Sequence, residues 1–526
     1  MTDWNEGYTT EVAYTFGYYP ELSPIRARMA LLKAGLDPSG LADGSAACEL
    51  GFGQGLSVNV HAAASGTPWC ATDFNASQAA FAQELAQASG AALTGTRLVD
   101  EAFADFCQRT DLPDFNFIGL HGIWSWISDA NRAVIVDFVR RKLRVGGVLY
   151  ISYNTHPGWA AMAPMRDLMA EHAQVMGIPG KGISDRVDGA LAFVDKLMAS
   201  DPHYARSNPQ VADRLKRLKT MNRNYLAHEY FNYDWQPQSF SRMAQWLAPA
   251  KLGFACSAHY QDHLPTLNFT SAQQALLQEQ PSAMFRETVR DFLVNQQFRR
   301  DYWIKGPRKL SAPEQAKRQG AQRVMLLTEP EKVSMKVKCP VGEALLSDAI
   351  YTPVLAAMGD HKAHSISALW ERLQKSGKAG AVNFGQLNEA LLLLIGKGDA
   401  VAVQDEETIA RAKPGAARLN QYLIDLAQYR TDMSYLASPV SGGAAMASRF
   451  EQLFIQGLRN QNAKTAPQAS ALAAFAWNIL NAQGERIVKD SKPLQTMADN
   501  MAELTAQATV FVDTRLPMLQ RLGVVD

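Results

Sequence analysis

The run Cys48-Glu49-Leu50-Gly51-Phe52-Gly53-Gln54-Gly55 is where this sequence concentrates its chemistry. It follows a short apolar segment and precedes a helical pattern, so its glycines fall where a backbone must turn tightly and approach a ligand with no Cβ in the way. A dinucleotide loop would want GxGxxG, in which the third glycine lets the helix pack closely and the helix N-terminus faces pyrophosphate. Here Leu56 stands in that last position, and Glu49 beside the loop would repel a pyrophosphate while suiting a cationic ligand. That argues against NAD. No GKS or GKT follows within reach, which excludes a P-loop. Asp73, in Thr72-Asp73-Phe74-Asn75, lies about 20 residues beyond the loop, where a carboxylate ending a second strand can meet two ribose hydroxyls. The other reading of Asp73 is a helix N-cap, and the two roles are compatible.

These residues need a scaffold, and the first 155 residues supply the alternation of short apolar runs and amphipathic stretches that marks βαβ units. Strands are expected at 46–50, 69–73, 96–100, 115–120 and 145–154, with helices at 76–88 and 131–143 between them. From about Gly158 to Gln238 the pattern turns helical and polar, as in an insertion or lid. A helix at 239–248, a strand at 251–258, a helix at 284–298 and an extended segment at 299–305 then resume the sheet. Met284, Val289, Phe292 and Leu293 are expected on one side of that last helix. The expected fold is therefore α/β, Rossmann-like and seven-stranded, occupying residues 1–306. Residues 307–339, rich in Lys, Arg and Gln, read as a linker. Helical runs at 351–358, 366–375 and 384–395 and a strand-like 400–403 make 340–408 winged-helix-like. Residues 409–526 read as helical, with a break at Lys413-Pro414-Gly415 and a turn at 437–443.

Composition bounds the function. A chain of 526 residues is long enough for several cores without metals or disulfides. Fifty-two Lys plus Arg against 51 Asp plus Glu leave a formal charge of +1 and no field to steer the chain onto nucleic acid. The five cysteines are scattered with no CxxC spacing, as in a reducing cytoplasm, and no histidine–carboxylate spacing suggests a metal. The N-terminus lacks an apolar leader, and no apolar run approaches the roughly 18 residues of a membrane span. A cytoplasmic location is expected, and the oligomeric state is left open.

Loop, spaced acid and strand rhythm together resemble the class I S-adenosylmethionine-dependent methyltransferases, over roughly residues 1–306. The resemblance implies that Glu49, Gly51, Phe52, Gly53 and Gly55 approach the methionine part of the cofactor and that Asp73, with Phe74 and Asn75, holds the ribose. It places Glu101 and Phe103 beside adenine, and His121 and Gly122 beside the methyl-transfer site. A narrower resemblance lies in Tyr14-Thr15-Phe16-Gly17-Tyr18-Tyr19-Pro20, His121-Gly122-Ile123-Trp124-Ser125-Trp126, Tyr153-Asn154-Thr155-His156-Pro157-Gly158-Trp159, Tyr225-Leu226-Ala227-His228-Glu229-Tyr230 and the run 298–306. It is to bacterial methyltransferases that carry a methyltransferase regulatory domain, among them protein-lysine methyltransferases acting on outer-membrane proteins. On this basis Tyr18 joins the cofactor-binding set.

In-line methyl transfer mainly requires alignment and exclusion of water, so few catalytic groups are needed. Tyr153, Asn154, His121 and Trp124, at or just beyond strand ends, are the catalytic candidates. His156 and the pair His228-Glu229 are candidates for proton acceptance, the pair having a structural alternative as a brace for the lid. The expected acceptor is a protein side chain such as lysine. The alternatives are a small molecule or glycan as acceptor, or a non-catalytic cofactor-binding scaffold.

Overall fold

In the computed structural model, which describes residues 8–12, 14–41, 46–177, 182–377, 382–459 and 468–525, the apolar runs of the N-terminal half are strands of one sheet. In chain order come α1 (Pro24–Lys33), β1 (Ala47–Leu50), α2 (Leu56–Ser65), β2 (Trp69–Thr72), α3 (Ala76–Ser89), β3 (Arg97–Val99), α4 (Phe103–Phe106), β4 (Phe115–Leu120), α5 (Asp129–Lys142) and β5 (Leu143–Asn154). The insertion holds α6 (Ala163–Val175), α7 (Ile183–Ala199), α8 (His203–Ser207), α9 (Gln210–Lys219) and α10 (Arg223–Tyr230). After it follow α11 (Phe240–Leu247), β6 (Leu252–Ser257), α12 (Pro265–Asn268), α13 (Ser271–Gln278), α14 (Ala283–Leu293) and β7 (Phe298–Lys305).

The strand order is β3-β2-β1-β4-β5-β7-β6. Neighbours from β3 to β5 run parallel, while β7 enters antiparallel between β5 and β6. The order reverses between β1 and β4, and in an open α/β sheet ligands bind beyond the carboxyl ends of the strands at that switch point. The glycine run leaves β1 there. Strands β1 and β2 are buried along their whole length, as strands covered by helices on both faces must be.

One helix departs from the sequence pattern in a way that matters chemically. The expected helix 284–298 ends at Leu293, and its buried residues are Arg290 and Asp291 rather than the apolar stripe; Phe292 is 68% exposed. Ion pairing reverses the face. Arg290 meets Asp262 at 2.9 Å, and Asp291 meets Arg299 of β7 at 2.6 Å.

The expected linker is folded. It forms α15 (Ala312–Gly320), β8 (Arg323–Leu326) and a hairpin of β9 (Lys336–Cys339) with β10 (Gly342–Leu345). The polar residues of α15 are contacts rather than solvated chain, since Gln315 and Gln319 donate to the carbonyl of Leu32 on α1 at 2.7 and 3.1 Å. Beyond lie α16 (Asp348–Met358), β11 (His364–Ser365), α17 (Ile366–Lys375), α18 (Phe384–Lys397) and β12 (Ala400–Val403). Strand β8 is the middle of the sheet β11-β8-β12, so the small helical unit takes its central strand from the segment read as a linker.

The break expected at Lys413-Pro414-Gly415 is also absent, because α19 (Glu406–Leu426) runs straight through it. Tertiary packing overrides local propensity here. Leu419, Leu423 and Ile424 share one apolar cluster with Leu56 and Val60 of α2 and Leu85 of α3. The turn at 437–443 is the tip of a hairpin formed by β13 (Tyr435–Ser438) and β14 (Gly443–Met446). Among the described residues no helix is long and apolar enough to cross a membrane.

A chain ending near Arg323 would keep every strand of the seven-stranded sheet. Such a chain loses α19 and leaves the outer faces of α2 and α3 bare. We therefore expect it to aggregate or to lose its cooperative calorimetric transition. Within the full chain, Leu419→Ala, at a fully buried position, should cost about 2–5 kcal/mol in denaturant unfolding. A soluble truncation that melts like the full chain would show the two halves to be independent.

Candidate active site

Two glycines of the loop are required by their surroundings. Gly51 has φ +80°, and a Cβ there would sit 2.3 Å from Ile123 Cδ1; Gly55 has φ +71°, and its Cβ would meet that of Ala82 on α3 at 2.3 Å. Gly55 thus provides the close helix contact that a dinucleotide loop takes from a glycine one position later. The loop amide of Gly53 donates to Asp73 Oδ2 at 2.8 Å, and the Asn75 amide donates to Oδ1 at 3.0 Å. Capping falls to Asn75, whose side chain accepts from the amides of Ser77 and Gln78 at the start of α3. Asp73 is left oriented over the loop.

The cleft above this loop encloses about 1150 Å³ including its open mouth. Gly51, Phe52, Gly53 and Gly55 line it, with Asp73, Phe74 and Asn75 beside them, Glu101 and Phe103 beyond β3, and His121 and Gly122 beyond β4. Trp126, Gln78 and Asp234 complete parts of the wall. Among the described residues no Lys or Arg lines it.

Electrostatics follow from that lining and from Glu49, which is buried beside it and does not line the cleft. Burial pushes the Glu49 carboxyl up to about 8, helped by the neighbouring charge of Asp73, and Glu49 Oε2 has no hydrogen-bond partner. Burial likewise raises Asp73 to about 6, against the two amides that favour its anion. Glu101 pairs with Arg109 at 2.6 Å. Desolvation holds the His121 imidazole down to about 4, so it is neutral at physiological pH. Its Nδ1 lies 2.7 Å from the Tyr150 hydroxyl, and its ring stacks on Tyr19 at 3.7 Å. Acids lining a cleft that has no Lys or Arg, beside a buried carboxyl with an unpaired oxygen, suit a cation.

An N-terminal strap forms the remaining wall. Tyr8, Tyr14 and Tyr19 line the cleft, Tyr8 sitting edge-on to Phe74 at 5.8 Å. The insertion anchors the strap: the Thr9 amide donates to Asn232 Oδ1 at 2.9 Å, His228 Nε2 lies 3.0 Å from the Val12 carbonyl, and the Tyr14 hydroxyl donates to Glu229 at 3.1 Å. The sequence reading named neither Tyr8 nor Asp234. The run of tyrosines at 8, 14, 18 and 19 was the available signal.

Four expected residues lie elsewhere. Tyr18 packs against His61 of α2 and Tyr435 of β13, because the chain alternates direction and Tyr19 takes the inward position. Trp124 is fully buried in the core beneath the cleft, with Trp246 against its ring and Arg132 donating to its carbonyl at 3.1 and 3.0 Å. Tyr153 faces the opposite side of the sheet and donates to Asp301 at 2.7 Å. Asn154 is buried at the end of β5, its amide donating to Ser125 Oγ at 2.9 Å and its side-chain nitrogen unpaired, behind the cleft wall. Glu49 itself lies just beneath the loop.

This sheet order with its glycine loop is the class I methyltransferase fold, the fold of S-adenosylmethionine-dependent enzymes. Residues 222–305 match the family described as "predicted methyltransferase regulatory domain". The chain is 37% identical over 522 residues to the protein sll1526 of Synechocystis sp., covering 99% of both, and belongs to its family. RP789 of Rickettsia prowazekii is 32% identical over 144 residues, 24% of this chain and 25% of that protein. Among solved structures, PKMT2 from Rickettsia typhi in complex with AdoHcy superposes with a TM-score of 0.68 at 15% identity, covering 97% of this chain and 100% of that one.

Glu49 carries a testable consequence of its burial. Its pKa is raised on folding, so the ionised carboxyl opposes folding; stability is fully kept below about pH 4.5 and falls as pH rises toward 8. Glu49→Gln should therefore stabilise the ligand-free protein by on the order of 1–3 kcal/mol at pH 8 and by little at pH 4.5. Denaturant unfolding at the two pH values measures this. A gain independent of pH would disprove the cause.

Proposed function

We propose that the protein is an S-adenosylmethionine-dependent methyltransferase that methylates a protein side chain, with lysine as the favoured acceptor. The observation that carries the reading is the cleft at the switch point, where glycine amides, an oriented Asp73 and an uncompensated Glu49 stand together. These residues fit the cofactor. Loop amides would receive its carboxylate, Glu49 would face its amino group, and Asp73 would accept from the ribose hydroxyls. Glu101 and Phe103 would flank adenine. When bound, the cofactor supplies the methyl group on a sulfonium, a second positive charge suited to an anionic, aromatic cleft.

The chain's own contribution is to orient and to exclude water. Tyr19 and His121 form a stacked pair beyond β4, where a neutral imidazole offers hydrogen bonding without adding positive charge. Tyr8, Tyr14 and Trp126 enclose the open side and present ring faces and hydroxyls. This wall suits an amine and disfavours carboxylate or phosphate acceptors, which would meet Asp234 and Asp73 with no Lys or Arg among the described lining residues to receive them. The sequence resemblance to lysine enzymes points the same way.

Calorimetry should detect S-adenosylhomocysteine binding and none by NAD. Asp73→Asn keeps an oxygen but removes charge from two hydrogen bonds, and should weaken S-adenosylhomocysteine about 10- to 100-fold. NAD binding without a response to S-adenosylhomocysteine would overturn the function.

A further inference from the structure

Counting charges in the cleft leaves one group unexplained. Glu49, Asp73 and Glu229 are the acids in and around its wall that burial raises without a paired base, Asp73 being the one of the three that lines the cavity and Glu101 being answered by Arg109. Under the function proposed above, the cofactor's amino group answers Glu49 and its ribose hydroxyls answer Asp73. Glu229 remains. It belongs to α10 of the insertion, and it reaches the cleft through the strap: Tyr14, which donates to its Oε1, also lines the cavity. Tyr8, Tyr19 and Tyr225 also lie close enough for the Glu229 charge to act on their hydroxyls, and Tyr19 hydrogen-bonds Tyr14. The carboxyl accepts from Tyr14, has three further tyrosines within electrostatic reach, and is held up to about 7 by burial. No cationic side chain is among the groups that act on it.

We infer that Glu229, with the rings of Tyr8, Tyr14 and Tyr19, is the specificity-determining seat for the acceptor's ammonium group. This rests on the methyltransferase reading and deepens it. A carboxylate desolvated among aromatic rings is an unfavourable arrangement on its own and a favourable one around an alkylammonium, which gains both ion pairing and the negative ring faces. The geometry also explains the strap. By tying Val12 and Tyr14 to α10, it brings acid and rings together beside the glycine loop. His228, the neighbour of Glu229, is occupied with the Val12 carbonyl at 3.0 Å and so holds the strap rather than the acceptor.

The test uses the full chain saturated with S-adenosylhomocysteine. Calorimetry compares acetyl-Ala-Lys-Ala-amide with the same peptide acetylated on the lysine Nε, which has lost its charge. Wild type should bind the charged peptide at least about tenfold more tightly. Glu229→Gln keeps an oxygen for the Tyr14 hydroxyl, and it should erase this preference while leaving S-adenosylhomocysteine affinity within about twofold. Glu229→Asp should retain part of the preference. No preference in wild type, or an undiminished one in Glu229→Gln, would overturn the inference. Loss of S-adenosylhomocysteine affinity in Glu229→Gln would also overturn it, by assigning Glu229 to the cofactor's amino group. Failure of wild type to bind S-adenosylhomocysteine at all would instead refute the proposed function beneath it.

Discussion

Glu49 is a carboxyl buried at the end of β1 with an oxygen that has no partner, and most of the site can be understood from that constraint. An isolated ion in such a place is costly, so in the ligand-free protein it keeps its proton. Its neighbour Asp73 is partly relieved by two loop amides and is raised less. Both acids become favourable only when something positively charged or rich in donors enters. The glycines matter because they let that ligand come close to the backbone, and Gly51 and Gly55 also leave room for Ile123 and α3. Affinity for a cationic ligand is therefore stored as an unfavourable arrangement in the empty fold.

Holding such a site rigid requires support from distant parts of the chain. Strand β7 runs antiparallel between β5 and β6 and closes the sheet after an insertion of some eighty residues. That route allows α10 to return over the carboxyl ends of the strands and anchor the N-terminal strap. On the other side, α19 and the β13–β14 hairpin cover α2, the helix that follows the glycine loop. The C-terminal region is thus part of what fixes the loop.

The sheet was legible because its strands are short apolar runs separated by helical periodicity, and that signal is local. The glycine loop, Asp73, Glu101, Phe103 and His121 were legible for the same reason, each standing next to a strand end. Legibility failed where partners are distant in sequence. The Gln residues of α15 look like linker until α1 is beside them, and Arg290 and Asp291 look solvent-facing until Asp262 and Arg299 arrive. Pro414 and Gly415 read as a break because no local pattern announces that α2 and α3 will hold the helix together. Tyr18 and Tyr19 illustrate the limit within the site, since adjacency to a motif does not say which of two neighbours points inward. Tyr153 was misplaced for a simpler reason: strand alternation puts consecutive side chains on opposite faces.

The central claim is that ligand binding ionises a carboxyl that the empty protein keeps protonated. Titrating S-adenosylhomocysteine near pH 7 in buffers of different ionisation enthalpy measures protons exchanged on binding. The account predicts release of up to about one proton, as the ligand's ammonium pulls Glu49 below the ambient pH. Binding with no proton exchange, or with uptake, would contradict it.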